Sequence, residues 1–138
     1  MPRVFEWSVT NIALDDDAQR LYATLTDIGG ATRLKVFDAL NLTPISVRYL
    51  PTHTYVNAML VNPRTHHLFL AHGYYSSTTE ADNTLEALDT RTMGRVSSMS
   101  VSPEPMVLAD LGDRVYVASN SSTDLTVVRD CVVPAQPP

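Results

Sequence analysis

One cysteine, Cys131, stands in 138 residues. An internal disulfide is therefore excluded, and Cys131 belongs to no paired-cysteine metal pattern or haem-attachment pattern. A half-buried thiol is expected there. Positive charge is scarce: ten Lys and Arg against fifteen Asp and Glu give a formal net charge of −5. That balance argues against a nucleic-acid backbone or an anionic membrane surface as the main partner. No apolar run reaches the length of a membrane-spanning helix. The opening residues MPRVFEWSVT lack the apolar stretch of a secretory leader. The expected location is thus cytoplasmic, unless a leader has been removed. Motifs of catalysis are missing too. There is no GxSxG elbow. Gly29-Gly30 reads as a turn, since no GK[ST] or GxGxxG follows. The acidic run Asp15-Asp16-Asp17 lacks the later ligands of a calcium loop. No catalytic residue, no cofactor and no metal are expected.

What the chain does have is a repeat, the first thing to seek in any sequence. The run Arg20-Leu21-Tyr22-Ala23-Thr24 returns as His67-Leu68-Phe69-Leu70-Ala71 and again as Arg114-Val115-Tyr116-Val117-Ala118. Short runs of apolar and aromatic residues of this kind read as strands. The aromatics Tyr22, Phe69 and Tyr116 should therefore occupy equivalent sites. Before each run lies another: Ile12-Ala13-Leu14-Asp15, Met59-Leu60-Val61-Asn62 and Val107-Leu108-Ala109-Asp110. The closing Asp or Asn nucleates a turn, because its side chain bonds backbone two residues on. A third strand follows in each unit, at Leu34–Phe37, Leu85–Leu88 and Leu125–Val128. A fourth is read twice, at Ile45–Leu50 and Val96–Val101. Four short antiparallel strands over a period in the forties is the arithmetic of a propeller blade.

These residues carry a family resemblance. Asn62 to Ala71, and Asn83 to Thr92 followed by Val101-Ser102-Pro103-Glu104-Pro105, resemble YVTN-type propeller repeats. Val115-Tyr116-Val117-Ala118-Ser119-Asn120 is similar to the motif that names that family. The resemblance implies architecture and leaves chemistry open, because one fold hosts many functions.

The expected fold is all-β: a partial β-propeller of three four-stranded antiparallel blades whose ring is completed by another chain. Residues 8–54 would make the first blade, 55–104 the second and 105–130 a truncated third, with 131–138 as a tail. The tail ends Pro134-Ala135-Gln136-Pro137-Pro138, and proline cannot donate to a sheet ladder. Val4-Phe5-Glu6-Trp7, by contrast, reads as a fourth strand with no blade of its own. Three blades are too few to close a ring. The spare strand, residues 4–7, is therefore expected beside Leu125–Val128 of another chain. Val4, Phe5, Trp7, Leu125 and Val127 are the interface residues this requires. The partner is another copy, making a six-bladed dimer, or a chain carrying the remaining blades.

Function enters through the loops. Gly73 to Thr84 is the longest between a second and a third strand. In a propeller this loop shares a face with the connections between blades. His53, His72, Tyr74, Tyr75, Glu80, Asp82 and Glu104 are the candidate binding residues on that face, since binding side chains tend to sit on loops held by a rigid scaffold. His53, His72 and a carboxylate are metal-ligand types, but their spacing demands no metal. His66 and His67, read as strand neighbours, would point to opposite faces and lie at the surface. Three functions remain open. The first is a non-catalytic interaction or structural module that assembles into a ring. The second is small-molecule or carbohydrate binding through the long-loop face. The third is one part of a propeller enzyme whose catalytic residues lie on a partner chain.

Overall fold

The computed structural model describes residues 8–26, 31–50, 55–73, 83–120 and 123–131. Every regular element among them is a strand. In order they are β1 (Ser8–Asp15), β2 (Arg20–Thr26), β3 (Thr32–Asp38), β4 (Pro44–Tyr49), β5 (Val56–Asn62), β6 (His67–His72), β7 (Thr84–Asp89), β8 (Arg95–Ser100), β9 (Pro105–Leu111), β10 (Arg114–Ser119) and β11 (Leu125–Arg129). They form three antiparallel sheets in strict chain order: β1 to β4, β5 to β8, and β9 to β11. The eleven expected strands are all present, each within a few residues of its expected limits. The third sheet departs from the four-stranded blade: among the described residues it has three strands.

The register confirms the repeat. Tyr22 lies opposite Ala13 and Val36, Phe69 opposite Leu60 and Ala87, and Tyr116 opposite Ala109 and Val127. The three aromatics thus hold the same place on the second strand of each blade. The strand-pairing turns follow from their acidic and amide residues. Asp15 Oδ1 accepts the Ala18 N–H at 3.1 Å, and Asn62 Oδ1 accepts the Arg64 N–H at 3.1 Å. Each such turn closes on a left-handed residue, Gln19 or His66. His66 is therefore in a turn rather than on a strand, and only His67 begins β6.

The third blade is one residue out of the expected alignment. Asp110 pairs with Val115, as Leu14 pairs with Leu21, so Leu111 takes the place of Asp15 and Asn62. The turn shrinks to Gly112-Asp113, with Gly112 at φ +63°, a conformation glycine adopts without steric cost. Since side chains alternate between faces, a slip of one residue puts leucine where the other blades place a polar group.

Each blade therefore has two faces. The forward face of the first blade carries Tyr22, Leu34 and Val36, which pack on Val61, Leu68, Leu70 and Leu88 of the second. The forward face of the second carries Phe69, Ala71, Leu85 and Ala87, which pack on Val115, Val117 and Val128 of the third. Because both sides of β2, β6 and β7 are covered, these strands read as nearly unbroken apolar runs. The outer strands β4 and β8 are exposed along almost their whole length. Gly73 marks a close approach at the second seam, where a Cβ would stand 2.6 Å from the ring of Pro105.

Candidate functional site

Two polar clusters sit in the seams between blades. At the first seam Glu86 projects from β7 toward the first blade. It accepts Arg95 Nε at 2.7 Å and lies 3.1 Å from His72 Nε2. Arg48 of β4 crosses the seam to stand 3.8 Å from it, and also donates to the Met93 carbonyl at 2.6 Å. Burial pushes the Glu86 carboxyl up. The hydrogen bonds and charges of His72 and Arg95 more than offset this and bring it from 4.5 down to about 2. Glu86 is thus a buried carboxylate held ionised by its donors. His72 Nδ1 is buried and has no hydrogen-bond partner among the described residues.

At the second seam Asp130, just past β11, is gripped by the second blade. Asn62 Nδ2 donates to its Oδ2 at 2.7 Å, and Thr65 Oγ1 to the same oxygen at 2.6 Å. His67 Nδ1 lies 2.6 Å from Oδ1. His67 is accordingly a half-buried seam residue, not the surface residue expected. Deleting one member of such a network leaves buried polar atoms unsatisfied, at about 1–3 kcal/mol each. Beside it opens a cleft of about 280 Å³ lined by Arg64, Thr65, Gly112, Asp113, Asp130 and Cys131. Cys131 is exposed there rather than half-buried.

The expected binding residues divide. His72 is buried at the end of β6, and its carboxylate neighbour is Glu86. Glu104 lies on the connection into β9. It accepts Asn120 Nδ2 at 3.0 Å, while its own N–H donates to Asn83 Oδ1 at 2.9 Å. His53, Tyr74, Tyr75, Glu80 and Asp82 lie outside the described residues. Of the expected interface residues, Leu125 and Val127 stand on β11, 57% and 51% exposed. Val4, Phe5 and Trp7 lie outside the described residues.

The larger feature is a set of exposed apolar side chains on the two end faces. The rear face of the first blade exposes Val9, Ile12, Leu14, Val47 and Tyr49, around a buried patch of Ala23, Leu25 and Phe37. The forward face of the third blade exposes Val107, Leu111, Leu125 and Val127. The strand register assigns each of these side chains to its face. Sequence reasoning missed the seam clusters and most of this apolar set. Period-two alternation marks apolar positions, but does not say which of two blade faces lacks a neighbour.

No protein-family model matches the chain, and no curated protein matches it in sequence. Solved structures share its fold. Hydrazine synthase of Kuenenia stuttgartiensis superposes with a TM-score of 0.66 at 15% identity over 91% of this chain and 34% of its own. AztD of Citrobacter koseri does so with a TM-score of 0.66 at 18% identity, again over 91% and 34%. Hsv2 of Kluyveromyces lactis gives 0.61 at 9% identity over 90% and 33%. Identities this low carry the fold alone. The chain spans about a third of the length of these structures, and it is a partial propeller.

Proposed function

We propose that this chain is a non-catalytic interaction or structural module whose ring is closed by the blades of another chain. YVTN-type repeats are the variant of the fold its residues resemble. The observation that carries the reading is the set of exposed apolar side chains on two end faces of opposite kind. One is the face that blades turn to their successor, the other the face they turn to their predecessor. Patches of this kind, on a blade that elsewhere buries both faces, mark interaction sites. The open edge of β11 adds a second element. In the other two sheets the third strand is flanked by a fourth, and β11 has none among the described residues. An unpaired edge is a template for a strand from another chain. Residues 4–7 of a second chain are the proposed occupant.

Sedimentation equilibrium of the purified chain over a wide concentration range tests the reading. A mass that rises to a multiple of 15.2 kDa supports it. A monodisperse monomer that stays soluble at the highest concentrations, with both faces in water, overturns closure by a second copy.

A further inference from the structure

We infer that the forward rim of the third blade is a carboxylate-binding site, where Arg114 and Arg129 together receive an aspartate or glutamate side chain of a partner protein. This rests on the reading that another chain covers the forward face of that blade.

One row of residues, compared across the three blades, reveals the site. At the rim the last residue of the first strand, the first of the second and the last of the third lie side by side on the forward face. In the first blade they are Asp15, Arg20 and Asp38. In the second they are Asn62, His67 and Asp89. In the third they are Leu111, Arg114 and Arg129. A basic side chain stands in the middle of every row, and its flanks change. The first row holds two carboxylates, the second one, and the third none.

Within the chain, the covering blade makes up the difference. In every blade the residue just past the third strand sends its N–H to the carbonyl just before the second. These bonds are Ala39 to Gln19 at 2.9 Å, Thr90 to His66 at 2.8 Å and Asp130 to Asp113 at 2.6 Å. Thr90 and Asp130 are therefore equivalent residues of two covering blades. Thr90 is uncharged, and the first row already has two carboxylates. Asp130 brings the second carboxylate that the middle row lacks. It accepts Asn62 Nδ2 at 2.7 Å and lies 2.6 Å from His67 Nδ1. The third row lacks both carboxylates and carries an extra arginine, so it asks more of whatever covers it.

Like charges directly opposite on neighbouring strands destabilise each other. Arg114 and Arg129 are such a pair, and both are exposed. Asp113 offsets little of this. It lies 3.4 Å from Arg129 Nη2, with 75% of the arginine and 47% of the aspartate side chain exposed, and exposed ion pairs are weak. Arg114 forms no ion pair among the described residues. A carboxylate set between the two guanidinium groups would accept hydrogen bonds from both, a match of shape as well as charge. Leu111, Leu125 and Val127 are exposed on the same face. Apolar contact there would exclude water and strengthen the charge pairing, which fits a protein side chain better than a free anion. The first blade of this chain has Ala39 at the place of Asp130, and Arg33 and Lys35 on its rear face. Self-association through apolar side chains therefore leaves the row unmatched. The fitting partner is a protein with an acidic residue at that place.

The test uses the full chain at low salt, since salt screens exposed charges. The probe is aspartate blocked by acetyl and amide groups, with blocked asparagine as its control. Nuclear magnetic resonance follows the arginine Nε–H signals. The aspartate probe should shift Arg114 and Arg129 saturably, at concentrations about tenfold below those that move Arg64, an exposed single guanidinium. Blocked asparagine should shift neither. Arg114→Gln should abolish the saturable shift of Arg129 without lowering the urea midpoint, because the free chain loses only a repulsion. Arg64 responding equally, saturation that survives Arg114→Gln, or a midpoint that falls in that variant would each overturn the site. The module reading would survive such a failure, since a blocked amino acid covers no blade face; that reading stands or falls on assembly.

Discussion

Glu86 shows how much a single buried side chain can couple to solution conditions. Its carboxyl titrates near 2 in the folded chain against an ordinary 4.5. A carboxylate whose folded value is depressed stabilises the fold fully above its unfolded value and loses that contribution as pH falls toward the folded one. The window therefore runs from 4.5 down to about 2, and the whole contribution is on the order of 3 kcal/mol. Asp89, held to about 2 chiefly by its hydrogen bond to Arg91, shares the window, so one variant is needed to isolate Glu86. Glu86→Gln should lower the urea midpoint at neutral pH, because Arg95 and His72 lose their anion. It should also flatten the acid limb of stability across the window. The comparison requires fixed protein concentration, since assembly shifts apparent stability. Parallel acid limbs in parent and variant would show that Glu86 is not the group responsible.

At the scale of strands and turns, the sequence is most readable where one physical rule acts alone. Apolar and aromatic runs such as Leu68–Ala71 announce central strands, and Asp15 and Asn62 announce their turns. The third blade is where reading fails, because Asp110 looks like the same turn signal while the chain in fact turns two residues later, at Gly112-Asp113. Two turn chemistries compete there, and glycine at positive φ prevails. The seam clusters were illegible for another reason. Asp130 and His67 are sixty-three residues apart, and only the stacking of blades brings them together. Of the candidate loop residues, His72 was visible as a type of side chain but not as a buried partner of Glu86. The spare-strand proposal belongs to this scale as well. Deleting residues 1–7 should weaken assembly more than it alters β1 to β8. Sedimentation and far-ultraviolet circular dichroism of the deletion variant measure the two effects separately. Assembly that survives undiminished would remove residues 4–7 as the strand added to β11.

For the whole molecule, stability in a stack of repeats is close to a sum of blade terms and seam terms. The second blade has both faces covered by apolar clusters, whereas the first and third each have one face that leaves large apolar side chains exposed. Nine large apolar side chains, from Val9 to Val127, lie exposed on these two faces, and most are about half exposed. Covering each is worth about 1 kcal/mol at that exposure, so the two seams of a dimer together outweigh an association cost of about 4–15 kcal/mol. Local opening should therefore be uneven, and its unevenness should depend on assembly. In native-state hydrogen exchange the amides of β6 and β7 should be the slowest at low concentration, since opening the second blade breaks two seams. Raising the concentration should slow exchange in β2 and β3 and in β10 and β11, where new seams form, and narrow their distance from the second blade. Outer blades that match the second at every concentration would mean that the end faces carry no unmet stabilisation, and the stacking account of this chain would be wrong.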